Sequence, residues 1–226
     1  MKKTFPVIVS ILALAGSAHS AIVFDYQANP RATTSFYQPE TTGASLTSQT
    51  FTEVSNQKTG SNYVNSFLSP NINVGNGNVW SVSLSFSVTE DVSIDSIALN
   101  LFTFNGNGNV QQGDRQGAYT FNLKLENDVL ASCSNSNLVY LGTKDGTASG
   151  SQQASVGTLG QLGGSSGIHE EGTLNQAVTL SAGNTYTLEL SLNRGQETQG
   201  YFVGLGAIEL NTIPEPALSV FWAWLH

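Results

Sequence analysis

The chain has one cysteine, Cys133, in 226 residues. No intrachain disulfide is available, so a packed core has to hold the fold. The thiol is expected to be a small buried side chain. The alternatives are an intermolecular bridge or a lipid attachment. A lipoprotein signal, however, places its cysteine beside the signal's apolar region, and none is there. Charge is also scarce. Asp, Glu, Lys and Arg make up 11% of residues, against about 25% in an average soluble protein. Positive charge is the scarcer sign: 8 Lys and Arg stand against 16 Asp and Glu, a net of −8. So acidic a chain does not track a phosphate backbone, which excludes nucleic-acid binding. Long segments with a helical apolar period are missing too.

What is there is polar and small. Ser, Thr, Asn and Gly supply about two in five residues. Hydrophobic residues reach 39% and aromatics 9%, enough for a core and too many for wholesale disorder.

The N-terminus has the three parts of a secretory signal, residues 1–20. Lys2 and Lys3 are the basic region, and residues 5–15 are apolar. Ala18 and Ser20 are small residues at the −3 and −1 positions before Ala21, as signal peptidase requires. The apolar run is too short for the ~20 residues a bilayer-spanning helix needs. Removing Lys2 and Lys3 leaves six basic against 16 acidic side chains, a net of −10.

Residues 21–212 read as one β domain. Val82, Leu84, Phe86 and Val88 alternate with serines. Tyr119, Phe121, Leu123 and Leu125 repeat the pattern, as do Tyr186, Leu188, Leu190 and Leu192. Period-2 alternation predicts strands with one buried and one wet face, as in antiparallel sheets. Between Ile94 and Ile97 the phase changes, which predicts a bulge or a corner. Gly204 and Gly206 predict close packing or a bend in a last strand over 201–210. Weaker strands are expected at 22–26, 46–52, 138–141 and 177–180. Asn-Gly and Asp-Gly pairs mark turns throughout. Nine or ten strands without helices predict an all-β, antiparallel two-sheet sandwich, with a jelly roll as the expected form. Residues 142–172 hold nine glycines and are expected to be a long loop with a short strand inside it.

Each template for catalysis fails in turn. No Gly-x-Ser-x-Gly elbow occurs, and only His169 and His226 lie beyond the signal to serve a Ser-His-Asp triad. His169 is expected in a solvated loop. Glycoside hydrolysis needs two facing carboxylates. Glu189 with Glu170 or Glu209 are the candidates, each equally well explained as a solvent-facing strand residue. The Asn-rich stretches 71–78 and 105–114 could offer oxygen ligands to calcium, but turn formation explains them and no metal or cofactor is expected. Sugar binding would use aromatic platforms; Trp80, Tyr63, Tyr119, Tyr140 and Tyr201 are candidates, with Trp80 expected in the core.

After the final strand comes Ile213-Pro214-Glu215-Pro216, then an apolar run over 217–225 containing Phe221, Trp222 and Trp224, and His226. This tail, 213–226, resembles the PEP-CTERM sorting signal of Gram-negative, often biofilm-forming bacteria. There a Pro-Glu-Pro motif precedes a membrane-spanning helix and a basic cluster, processed by an exosortase. Here the apolar run is about half the spanning length and no Lys or Arg follows it, so no stable transmembrane anchor is expected. The resemblance implies an exported, non-enzymatic protein of the cell surface or extracellular matrix. Signal peptidase and an exosortase would process it, at Ala21 and at Pro214, Glu215 and Pro216. A secreted carbohydrate-binding module with a polysaccharide partner is the alternative.

Overall fold

The structure, a computed structural model, describes residues 21–26, 38–58, 67–70, 79–105, 115–140, 167–193 and 201–213. Twelve strands run along these residues: β1 (Ile22–Asp25), β2 (Glu40–Thr42), β3 (Ser45–Thr52), β4 (Val54–Lys58), β5 (Phe67–Pro70), β6 (Val79–Ser87), β7 (Val92–Asn105), β8 (Arg115–Leu125), β9 (Asp128–Tyr140), β10 (Gly167–Leu180), β11 (Thr185–Asn193) and β12 (Tyr201–Thr212). They form the expected antiparallel two-sheet sandwich. The five-stranded sheet has the order β3-β6-β11-β8-β9. The seven-stranded sheet follows β10-β7-β12-β1-β2, with β5 added to β12 and β4 to β5.

The alternating segments occupy the middle of the five-stranded sheet. Val82, Leu190 and Phe121 stand side by side across β6, β11 and β8, and so do Leu84, Leu188 and Leu123. All six are buried. Each such side chain contributes about 1.5–3 kcal/mol relative to leaving it in water. Phe24 from β1 meets Phe86 from β6 edge-on at 5.2 Å between centroids, which links the two sheets. The wet face of the five-stranded sheet carries an ion pair, Lys124 Nζ to Glu189 Oε2 at 2.7 Å. Both partners are partly exposed, so the pair adds little stability.

The seven-stranded sheet is built differently. Ile97, Leu99 and Leu101 of β7 face the sandwich core, and Ala98 and Asn100 on its other face are buried as well. The phase change is a bulge: Ile94 and Ser96 oppose the successive residues Thr212 and Asn211, which leaves Asp95 extra. Gly206 is the extra residue of a second bulge, between Leu205 and Ala207.

One corner of the sandwich is tied by a phenol. The turn between β10 and β11 uses Gly183 at φ 87. There the Tyr186 hydroxyl accepts the Ser181 N–H at 2.7 Å, and Asp91 Oδ1 accepts the Ala182 N–H at 2.8 Å.

Residues 142–172 contain strand as expected, because Gly167 to Gly172 opens β10, which runs on to Leu180; residues 142–166 lie outside the described residues. One expectation needs correction. His169 sits in that strand, its backbone opposite Asn100, and not in a loop. β4 and β5 were not anticipated, and β9 extends well before the expected 138–141. These strands lack the run of large alternating side chains on which the pattern depends.

Candidate binding groove

The sandwich closes differently along its two sides. On one side the chain itself passes from β2 to β3 through Gly43, at φ 73, and so joins the sheets. On the other side the edge strands β9 and β10 meet, and there the sheets are joined by side chains.

Along β9 the core thins out. The inward positions opposite Leu123, Phe121 and Tyr119 are Ala131, Cys133 and Asn135: a methyl, a thiol and an amide. Along β10 the facing sequence is Leu174, Gly172 and Glu170, again apolar first and polar last. Tyr119 bridges the gap. Its hydroxyl lies so near β10 that a Cβ at Gly172 would fall 2.4 Å from it and 3.0 Å from Cys133 Sγ. The Tyr119 hydroxyl and the Cys133 thiol share a hydrogen bond. Asn135 Nδ2 donates to Glu170 Oε1 at 2.9 Å.

Opposite Ser96, β10 leaves the β7 ladder, and regular pairing resumes only at Val178. The intervening arch reaches across to β9. Asn175 Oδ1 accepts the Ser132 N–H at 2.9 Å, and Gln176 Nε2 donates to the Leu130 carbonyl. Two side-chain amides thus take the place of a neighbouring strand along the β9 edge.

A groove of about 470 Å³ opens at this junction. Hydroxyls of Thr120, Ser132, Ser134 and Thr173 line it, with amides of Asn122, Asn135 and Asn175. Its charged side chains are the carboxylates Glu170, which is 9% exposed, and Glu171 at the surface. Among the described residues no Lys, Arg or His lines it.

Burial pushes the Tyr119 phenol well above its ordinary range, and negative charge on Cys133 or Glu170 would raise it further. Burial also pushes the Cys133 thiol up, to about 11; the hydrogen bond from Tyr119 works against this rise, and the Glu170 charge adds to it. At neutral pH the thiol is therefore protonated, and the nucleophilic thiolate is absent.

This sets a pH dependence. Between the unfolded thiol value near 9.0 and the folded value of about 11, the unfolded chain has lost a proton that the folded chain still holds. Stability therefore falls as pH rises through that window. Urea unfolding from pH 8 to 11 is expected to show this decline, and Cys133→Ser to flatten it. An equal slope in both proteins would remove Cys133 as its source.

The anticipated residues fall in different places. Trp80 is 1% exposed in the core, and its Nε1 has no hydrogen-bond partner among the described residues; it offers no platform. Tyr119 lines the groove but is 4% exposed, so it offers little ring surface. Tyr140 and Tyr201 have described backbones, opposite Arg115 and Asn105, and Tyr63 lies outside the described residues. The three carboxylates do not converge. Glu189 stands on the wet face of the five-stranded sheet, and Glu209 on the face of β12 that carries Ala207, away from Ile208 and Leu210. Only Glu170 lies between the sheets, which removes the paired-carboxylate hydrolase template for these residues. Ala21 directly precedes β1, while Ala18, Ser20, Pro214, Glu215 and Pro216 lie outside the described residues. Ile213, just before the Pro-Glu-Pro motif, donates its N–H to the Ser93 carbonyl at 2.8 Å. Among the described residues no helix is long and apolar enough to cross a membrane. No group of three or more His, Cys, Asp or Glu there is placed to hold a metal ion.

Comparison with known proteins gives no matching family model, no matching curated protein and no matching solved structure.

Proposed function

We propose that this chain is an exported, non-enzymatic protein of the cell surface or extracellular matrix of a Gram-negative bacterium, and that it acts by binding polysaccharide. The β9–β10 groove carries this reading. It presents hydroxyls, amides and carboxylates on strand-mounted side chains, while its one thiol is protonated at neutral pH and no histidine is among the described residues that line it. Such a site recognises a hydrogen-bonding ligand and has no activated nucleophile. Export is supported by the basic, apolar and small-residue order of residues 1–20 and by the start of β1 directly after Ala21. Pro214, Glu215 and Pro216 support sorting of the PEP-CTERM type, with an exosortase as partner after signal peptidase. The strand order supports a jelly roll. Leaving out β2–β5, the sheets read β1-β12-β7-β10 and β6-β11-β8-β9, so all but the β8–β9 hairpin connect opposite sheets.

The test uses the native protein, its mature ends first established by intact mass. Affinity electrophoresis through neutral and amino polysaccharides is expected to retard it. A folded Thr120→Ala/Asn122→Ala variant is expected to bind about tenfold more weakly, the effect of losing one or two hydrogen bonds of ~1 kcal/mol. Equal retardation of both proteins would place binding outside the groove.

A further inference from the structure

Main-chain groups join the polar side chains of the groove, and they narrow the ligand class on the reading that the groove binds polysaccharide. In an antiparallel pair, opposed residues alternate between exchanging both backbone bonds and exchanging neither. The Ser132 N–H goes to Asn175 Oδ1 and not to β8, so the pair Asn122–Ser132 is of the second kind. The register runs without a shift from Ala131 to Asn135, so Thr120–Ser134, two residues on, is of the second kind too. The Ser132 C=O and both the N–H and the C=O of Ser134 therefore point away from β8, out of the sheet edge. Among the described residues no strand pairs with β9 on that side, and the arch amides bond only to Ser132 and Leu130. Past Ser134 the ladder slips: Asn135 stands opposite Tyr119, and pairing resumes with Leu138 opposite Gly117. What stays open is a window at one exposed residue, Ser134, shorter than the roughly 3–10 residues of an ordinary strand. Ser132 and Ser134 both line the groove, so the window opens into it.

We propose that this window of the β9 edge is a binding element of the groove, and that its ligand is a polysaccharide with unsubstituted hydroxyls on the bound sugars. Side-chain hydroxyls and amides both donate and accept, so Thr120, Asn122 and Thr173 tolerate most oxygen functions. A backbone carbonyl only accepts. The carbonyls of Ser132 and Ser134 therefore require donors, and the Ser134 N–H requires an acceptor. A sugar hydroxyl supplies either. An ether, ester, carboxylate or sulfate oxygen cannot donate and leaves a carbonyl without its bond.

The test is affinity electrophoresis of the mature full-length protein through three polymers, a β-glucan, a mannan and a galactan, each unmodified and partly O-methylated. At least one unmodified polymer is expected to retard it, and the O-methylated form of that polymer to bind about tenfold more weakly. With the same polymer, Ser134→Pro is expected to bind about tenfold more weakly than Ser134→Ala. Both variants lack the hydroxyl, and only the proline lacks the N–H. An edge position with its N–H turned outward accepts proline, and urea unfolding checks that it does. Should the proline variant not fold, amide exchange of the wild type decides, with the polymer expected to slow exchange of the Ser134 N–H about tenfold. Equal binding by the folded proline and alanine variants, unaltered exchange, or an O-methylated polymer bound as tightly as its parent would each overturn the proposal while leaving polysaccharide binding standing. Retardation by none of the three polymers would overturn both.

Discussion

Replacing Gly172 by alanine is expected to destabilise the protein by roughly 1–3 kcal/mol, the range for forcing one methyl into a packed site. The added Cβ would lie 2.4 Å from the Tyr119 hydroxyl, 3.0 Å from Cys133 Sγ and 3.3 Å from Ile97 Cγ1. A smaller effect opposes this: alanine narrows the unfolded ensemble and so favours folding by about 0.4–1 kcal/mol where the site accepts it. Here the site does not accept it. Tyr119 is a rigid ring, 4% exposed, and its backbone is paired with both β9 and β11, so the hydroxyl has little room to swing aside. Overpacking therefore outweighs the gain in the unfolded state. A double-mutant cycle with Tyr119→Phe isolates it. Tyr119→Phe alone loses the hydrogen bond to Cys133, a net of about 1 kcal/mol. In the double variant the closest atom is gone and the alanine methyl gains space. Urea unfolding is expected to show a coupling of at least ~0.5 kcal/mol in the favourable direction. Additive losses would mean that the methyl is resisted by the backbone and not by the phenol.

The parts of this fold that were legible in the sequence are those with one wet face. β6, β8 and β11 form the middle of the five-stranded sheet, bury one face and wet the other, and so alternate cleanly. The break between Ile94 and Ile97 was legible for a related reason. A bulge shifts the period by one residue, and Asp95 is that residue. The core of the seven-stranded sheet was harder to read. In β7 and β12 both faces are buried, down to Asn100 and Glu209, so polarity no longer reports the side on which a residue lies.

The groove was not legible, because its residues are ordinary when read singly. The inward positions of β9 are Ala131, Cys133 and Asn135, and between them stand Ser132 and Ser134. No large apolar side chain recurs there to announce a strand. Glu170 and Gly172 belong to a glycine-rich stretch whose composition favours a loop. What makes these residues a site is their register. Tyr119 stands opposite Asn135 and reaches Gly172 across the sheets, a contact between residues far apart in the sequence that no local pattern encodes. Cys133, expected as a small buried side chain, is half-buried, and the phenol beside it was not legible.

Removing the two amides that cover β9 is expected to make the protein self-associate. β9 is an edge strand, and an uncovered edge offers its N–H and C=O groups to any other strand. Asn175 and Gln176 now occupy the Ser132 N–H and the Leu130 carbonyl. Val129 beside them is 53% exposed and would add an apolar contact to any strand that docked. In Asn175→Ala/Gln176→Ala the freed groups can bond to water, so the fold loses little, about 1 kcal/mol for each bond. The edge, however, becomes available to a second copy. Sedimentation velocity over a range of concentrations is expected to show the variant shifting to larger species where the wild type does not. Adding Val129→Lys, a charge of the kind that blunts natural edges, is expected to restore wild-type behaviour. The rescue separates two explanations. If the amides act only through the stability of the arch, a lysine on β9 cannot compensate for their loss. If they act by covering the edge, it can. Identical sedimentation of variant and wild type, or a lysine without effect, would leave the arch as a brace for the groove and not a guard for the edge.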